Sequence, residues 1–287
     1  MAAYETYQAR ADEGRAELLA ATTSPFTIEV RFLGGLNARQ RAAFTRAADR
    51  WTKIIVGDLP AVNADGEVID DVLILAQGVN IDGSGRVLGQ AGPTHLRPTG
   101  TAPSASLPAK GIMSFDTADL ADMASAGTLD DVITHEMGHV LGIGTLWSEK
   151  GLIRGAGGPN PTFRGTGAMD EYRVLRGGTG GRRAVPVENT GGSGTADGHW
   201  RETVFRNELM SGFIAEPGNP LSRITAASLG DLGYQVDIDA AEPYTLPDLM
   251  ALAEQGALVA HRAPIDDGVV LPVIPQTLPV ESLKVPG

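Results

Sequence analysis

From Phe26 to Phe32 the chain reads Phe-Thr-Ile-Glu-Val-Arg-Phe, apolar and polar in unbroken alternation. A period of two predicts a strand with one face on the core. Gly34-Gly35 ends it, Asn37 is placed to cap a helix, and Gln40 completes a capping box. Phe44, Ala47, Ala48, Trp51, Ile54 and Ile55 recur at three- and four-residue spacing up to Gly57, the apolar stripe of a helix lying on a sheet. Val72-Leu73-Ile74-Leu75-Ala76 is apolar throughout and predicts a central strand, with shorter strands over Val87 to Ala91 and Gly111 to Phe115. A second helix follows, with Thr128 as its cap, Asp130 and Asp131 at the positive end of its dipole, and Leu129, Val132, Ile133, Met137, Val140 and Leu141 as its buried stripe. This order predicts an α+β fold in which a twisted mixed sheet carries both helices on one side.

The second helix contains His135-Glu136-Met137-Gly138-His139, with Gly142 as its stop. Residues four apart share a helical face, so both imidazoles can reach one metal ion while Glu136 stands at its flank. The spacing favours a zinc hydrolase site over a core helix whose histidines bond internally. It supplies two ligands, whereas a catalytic zinc usually takes three and keeps a fourth position open. The shortest spacing for a third histidine ends at position 145, which here is Thr145. The other histidines are His95, His199 and His261. His199 stands out: it lies in Gly198-His199-Trp200-Arg201-Glu202, shortly before Asn207-Glu208-Leu209-Met210-Ser211-Gly212, so a histidine precedes a methionine in a turn-like setting.

The pattern His135-Glu136-x-x-His139-x-x-Gly142, a long insertion, then Gly198-His199-Trp200 and Glu208-Leu209-Met210 resembles the leishmanolysin family of metzincin metalloproteases. The resemblance implies His135, His139 and His199 as ligands of one catalytic zinc, Glu136 as the catalytic glutamate and Met210 as the methionine of the turn beneath the site. It extends more weakly over roughly Phe26 to Tyr234. The implied organisation is an N-terminal extension at 1–25 and a metzincin catalytic domain at 26–243. Within that domain the N-terminal lobe spans about 26–143, the insertion 151–198, and an irregular loop-and-helix C-terminal lobe about 199–243. A helix and proline-rich tail occupy 244–287. The implied activity is zinc-dependent endopeptidase cleavage, Glu136 acting as general base and then acid; the alternative is a zinc-binding adhesion or interaction protein that keeps the fold. The implied partner is a protein or peptide bound as an extended strand along Arg86 to Leu96, with Ser211 to Ile214 walling the specificity pocket. Gly212 stands where some metzincins have a tyrosine, so any further oxyanion donor must come from elsewhere.

Protozoan members of that family are cysteine-rich, and this chain has no cysteine, so neither disulfides nor a zinc-bound propeptide thiol is available to it. With 287 residues and 42% hydrophobic composition it can bury a sizeable core. The net charge of -12 argues against nonspecific binding to nucleic acid. No apolar run is long enough to span a membrane, and Met1 to Ser24 lacks the basic start and apolar centre of a secretory signal, although the resemblance favours secretion. Calcium has no support beyond Asp82-Gly83-Ser84-Gly85, which reads as a turn. Gly151 to Gly198 is rich in glycine, so little regular structure is expected there, and an ordered insertion flanking the cleft is favoured over a loose linker. Ser222 can cap a short helix through Ile224, Ala227, Leu229 and Leu232 to Gly233. Leu246 to Gln255 reads as another helix, and five prolines from Ala263 onward predict a tail on the surface or partly disordered.

Overall fold

The alternating segment from Phe26 forms a strand because Phe26, Ile28 and Val30 bury completely on one face. In the computed structural model, which describes residues 4–85, 87–214, 216–254 and 270–284, it is the second strand of the main sheet. The elements up to the candidate site are β1 (Glu5–Arg10), α1 (Glu13–Ala20), β2 (Thr27–Gly34), α2 (Ala38–Ile54), the hairpin β3 (Val62–Ala64) and β4 (Glu67–Ile69), β5 (Val72–Val79), β6 (Gly89–Leu96), β7 (Pro108–Asp116), α3 (Thr117–Ala126) and α4 (Leu129–Val140). Then come β8 (Ile153–Arg154), β9 (Thr162–Phe163), α5 (Thr166–Leu175), β10 (Val185–Pro186), α6 (Glu202–Phe205), α7 (Arg223–Leu232), α8 (Leu249–Glu254), β11 (Val270–Pro272) and β12 (Gln276–Thr277).

The main sheet has the order β1-β2-β5-β7-β6-β11, with β12 also on β6. It is mixed: β2, β5 and β7 run parallel, while β1 on β2 and β6 on β7 are antiparallel. α2 packs on β1 and β2, α4 packs on β6 and β7, and the two helices pack on each other, so both lie on one face. The Asn37–Gln40 capping box forms as expected, each side chain accepting from the other residue's backbone N–H. The Trp51 indole N–H of α2 donates to the Thr134 carbonyl at 2.9 Å, tying α2 to α4 one residue before His135.

Several expectations are corrected. Thr128 sits at the start of α4 in a helical conformation and makes no side-chain cap; Asp131 instead accepts from the Gly218 and Asn219 backbones of a distant loop. Residues 1–25 include β1, which pairs along its length with β2 and so belongs to the main sheet, followed by α1, capped by Asp12. The strand expected over Val87 to Ala91 starts later and runs on to Leu96, where pairing with β7 sustains it. The insertion holds more regular structure than its glycines suggest. β8, β9 and β10 form a small sheet, and α5 is started by the Asp231 carboxylate of α7, which accepts from the Gly167 and Ala168 N–H groups. A cap supplied from so far along the chain leaves no local signal. The tail likewise contributes β11 and β12 to the sheet. Arg86, Gln255, His261 and residues 263–269 lie outside the described residues. Among the described residues no helix is long and apolar enough to cross a membrane.

Candidate metal centre

α4 presents His135 and His139 one turn apart, and the helix stops after Val140 because Gly142 takes a positive φ of 106°. The chain then turns through Gly144, where a Cβ would lie 2.1 Å from the Gly198 carbonyl oxygen. Only glycine lets this turn lie so close to the segment that delivers His199. That segment is held firmly. Trp200 bridges Val187 on one side and Ser211 on the other, its indole N–H donates to Thr225 Oγ1 at 2.8 Å, and its ring lies 4.7 Å from that of Trp147 in a buried cluster with Phe163 and Phe205. Glu188 straps the insertion to it: Oε1 accepts from the backbones of Asn189 and Thr190, and Oε2 from the Glu202 N–H at 2.8 Å. Burial raises the Glu188 pKa, but these hydrogen bonds outweigh burial and leave it lowered.

The three imidazoles converge. The Nε2 atoms of His135, His139 and His199 lie 3.0 Å apart in every pairing. Each Nδ1 faces a backbone carbonyl: His135 meets Leu209 at 2.7 Å, His139 meets Ile143 at 2.8 Å and His199 meets Thr195 at 2.8 Å. Carbonyls only accept, so each Nδ1 carries the proton and each Nε2 turns a lone pair inward. Three lone pairs at this separation repel one another unless a cation lies among them, and the set matches imidazole ligation at about 2.0–2.1 Å from a zinc-sized ion. Burial lowers the pKa of His135 well below 6.5, with its two neighbours adding to the effect; burial and His199 bring His139 to about 3, and burial brings His199 to about 4. All three are therefore neutral, as metal ligands must be.

Glu136 is buried beside this triad, and its Oε2 has no hydrogen-bond partner. Burial pushes its pKa up to about 8. It lines a cleft of about 210 Å³ together with His139 and His199, Ala91 of β6, Asp197 of the insertion and Val270 of β11. Asp197 adds a second carboxylate: Oδ2 accepts from the Gly157 N–H at 2.7 Å, while Oδ1 is buried without a partner. Among the described residues the cleft lining does not draw on Ser211 to Ile214. His95 lies away from the cleft on β6, with Nε2 3.5 Å from Asp65 Oδ1. Asp58, Asp70 and Asp71 make another acidic group, but Asp71 is already satisfied by Thr27 and Leu59.

Met210 is fully buried against α4. A Cβ added at Gly138, between the two helix histidines, would lie 2.9 Å from both Met210 Sδ and Trp51 Cζ2. The glycine within the motif thus makes room for the methionine turn. That turn is pinned by buried Glu208, which accepts from the Met210 N–H at 2.6 Å and from the Ser222 hydroxyl at 2.6 Å. Gly138→Val should lower unfolding free energy by about 1–3 kcal/mol, as overpacking does, although valine is the better helix former. Denaturant titration reads this; unchanged stability would mean that Met210 is free to move away.

The sequence singled out the three histidines, Glu136 and Met210, and the fold brings all five together. It missed the carbonyls of Leu209, Ile143 and Thr195, which orient the rings, because a backbone carbonyl has no residue identity to read. A family model described as leishmanolysin matches residues 177–250, a stretch that contains His199 and Met210 and begins beyond the α4 histidines. No curated protein matches the chain. The resemblance read from the motifs therefore stands. Over this stretch the chain is similar to leishmanolysin, which indicates a metallopeptidase, and His135, His139 and His199 form a group able to hold a metal ion.

Proposed function

We propose that the chain is a zinc metalloendopeptidase of metzincin type, acting on proteins or peptides bound in extended form. The observation that carries this reading is the meeting of three neutral Nε2 atoms beside the unpartnered carboxylate of Glu136 in one cleft. His135, His139 and His199 would hold the metal, and an all-imidazole set suits zinc among the common divalent ions. When bound there, zinc would acidify water and polarise a carbonyl oxygen. Glu136 would take a proton from the attacking water and pass it to the leaving amine, so that one buried carboxylate serves as base and then acid. The Nδ1–carbonyl bonds fix the ring orientations throughout. On this reading the catalytic unit keeps the lobes at about 26–143 and 199–243 and the 151–198 insertion that the motifs imply, and β1, β11 and β12 from outside 26–243 complete its sheet.

The test is cleavage of casein before and after removal of metal by a chelator. Activity should disappear with the metal and return on adding about one equivalent of zinc per chain. Zinc bound at that ratio with no cleavage of any protein tried would sink the peptidase reading and leave a metal-binding interaction protein.

A further inference from the structure

The outer side of β6 is already occupied by the chain itself. β11 lies parallel to it with Val270 opposite Gly89, Leu271 opposite Gln90 and Pro272 opposite Ala91. β12 continues the pairing with Gln276 opposite His95 and Thr277 opposite Leu96. One stretch of chain, 270–277, thus pairs with both ends of β6. An extended peptide that joined the sheet at this edge would need the same backbone groups.

This strand also meets the cleft. Val270 lines it together with Glu136, His139 and His199, and β11 lies beside the turn Gly192–Gly194 of the insertion, on the other rim. The segment therefore reaches from the sheet rim to the insertion rim. Its fit is close: at Gly92 of β6, where φ is 153°, a Cβ would lie 3.1 Å from Val273 Cβ. The segment has a second anchor beyond the cleft. Leu278 is buried in a side cluster with Val62 and Leu73, its N–H donates to the Leu96 carbonyl at 2.9 Å, and the Lys284 N–H donates to Ala61 at 2.8 Å. β11 can leave β6 while this anchor stays, and the tether keeps it at high effective concentration.

We infer that residues 270–277 are a built-in occupant of the substrate groove: β11 holds the place on β6 beside the metal centre that an extended substrate takes, and substrate must displace it. This rests on the peptidase reading above. Displacement is a competition on one edge, so weakening the tail acts on KM and not on kcat.

The test uses two full-length variants. Val270→Asp puts a charge into the cleft that Asp197 also lines, and Val273→Asp breaks the contact at Gly92. Each should lower KM for casein about tenfold and restore wild-type KM when a synthetic peptide of residues 268–279 is added in excess. The same peptide, fluorescently labelled, should bind either variant more tightly than it binds the wild type, with or without turnover. Unchanged KM together with no peptide binding overturns the inference while leaving the peptidase reading intact. Peptide binding with no cleavage by any form upholds occupation of the groove and overturns the peptidase reading.

Discussion

Glu136→Gln is expected to keep zinc at one equivalent per chain and to lower kcat/KM on casein by about 10²–10⁴, the range spanned by a positioned general base. The substitution keeps the shape of the side chain and removes only its proton-accepting power. Glu136 Oε2 has no hydrogen-bond partner and the residue is not among the three converging imidazoles, so neither the fold nor the metal should depend on its charge. Burial disfavours that charge, so an uncharged amide there should leave the thermal midpoint level or slightly raised. Metal analysis, a melting curve and the casein rate separate the roles. A variant that keeps its zinc and still cleaves at the wild-type rate removes Glu136 from the reaction; one that loses zinc makes it a ligand or a support for one.

The sequence was most legible where local rules and tertiary packing agreed. The alternation in β2, the capping box of α2 and the glycine stop after α4 are each decided within a few residues. The histidines were legible because α4 fixes two of them by periodicity, and because few histidines remain to complete the set. What escaped was decided at long range. α5 depends on a carboxylate from α7, Thr128 yields its capping role while Asp131 bonds a loop near position 218, and β1 has so few apolar residues that only pairing with β2 makes it a strand. β11 is the clearest case: three residues, the last of them a proline, carry little strand signal, and a parallel partner far back in the chain supplies it. The tail expected to lie on the surface or to be partly disordered thereby supplies two strands of the main sheet.

His199→Ala tests whether the third ligand comes from beyond the insertion. It should weaken zinc binding by at least about a hundredfold, more than the loss typical when only an outer partner of a ligand is changed, and abolish casein cleavage at ordinary zinc levels. Two imidazoles on one helix turn leave most of the metal's coordination to water, which cannot fix the ion beside Glu136. Loss of the fold is not expected to confuse the result, because the segment carrying His199 is anchored by its neighbour: Trp200 bonds Thr225, packs against Trp147 and bridges Val187 and Ser211. His95→Ala is the matched control for the metal, since that ring faces Asp65 and does not line the cleft; it should keep zinc. Thr145, at the position where a shorter spacing would place the ligand, donates its hydroxyl to the His139 carbonyl at 2.8 Å and so braces the turn after α4. Zinc retained by His199→Ala but lost on Thr145→Ala would move the third ligand back to that turn and detach the insertion from the metal. Zinc lost by His199→Ala alone makes the insertion's far end part of the centre, and with it the Glu188 strap and the Gly144–Gly198 contact that hold this histidine in place.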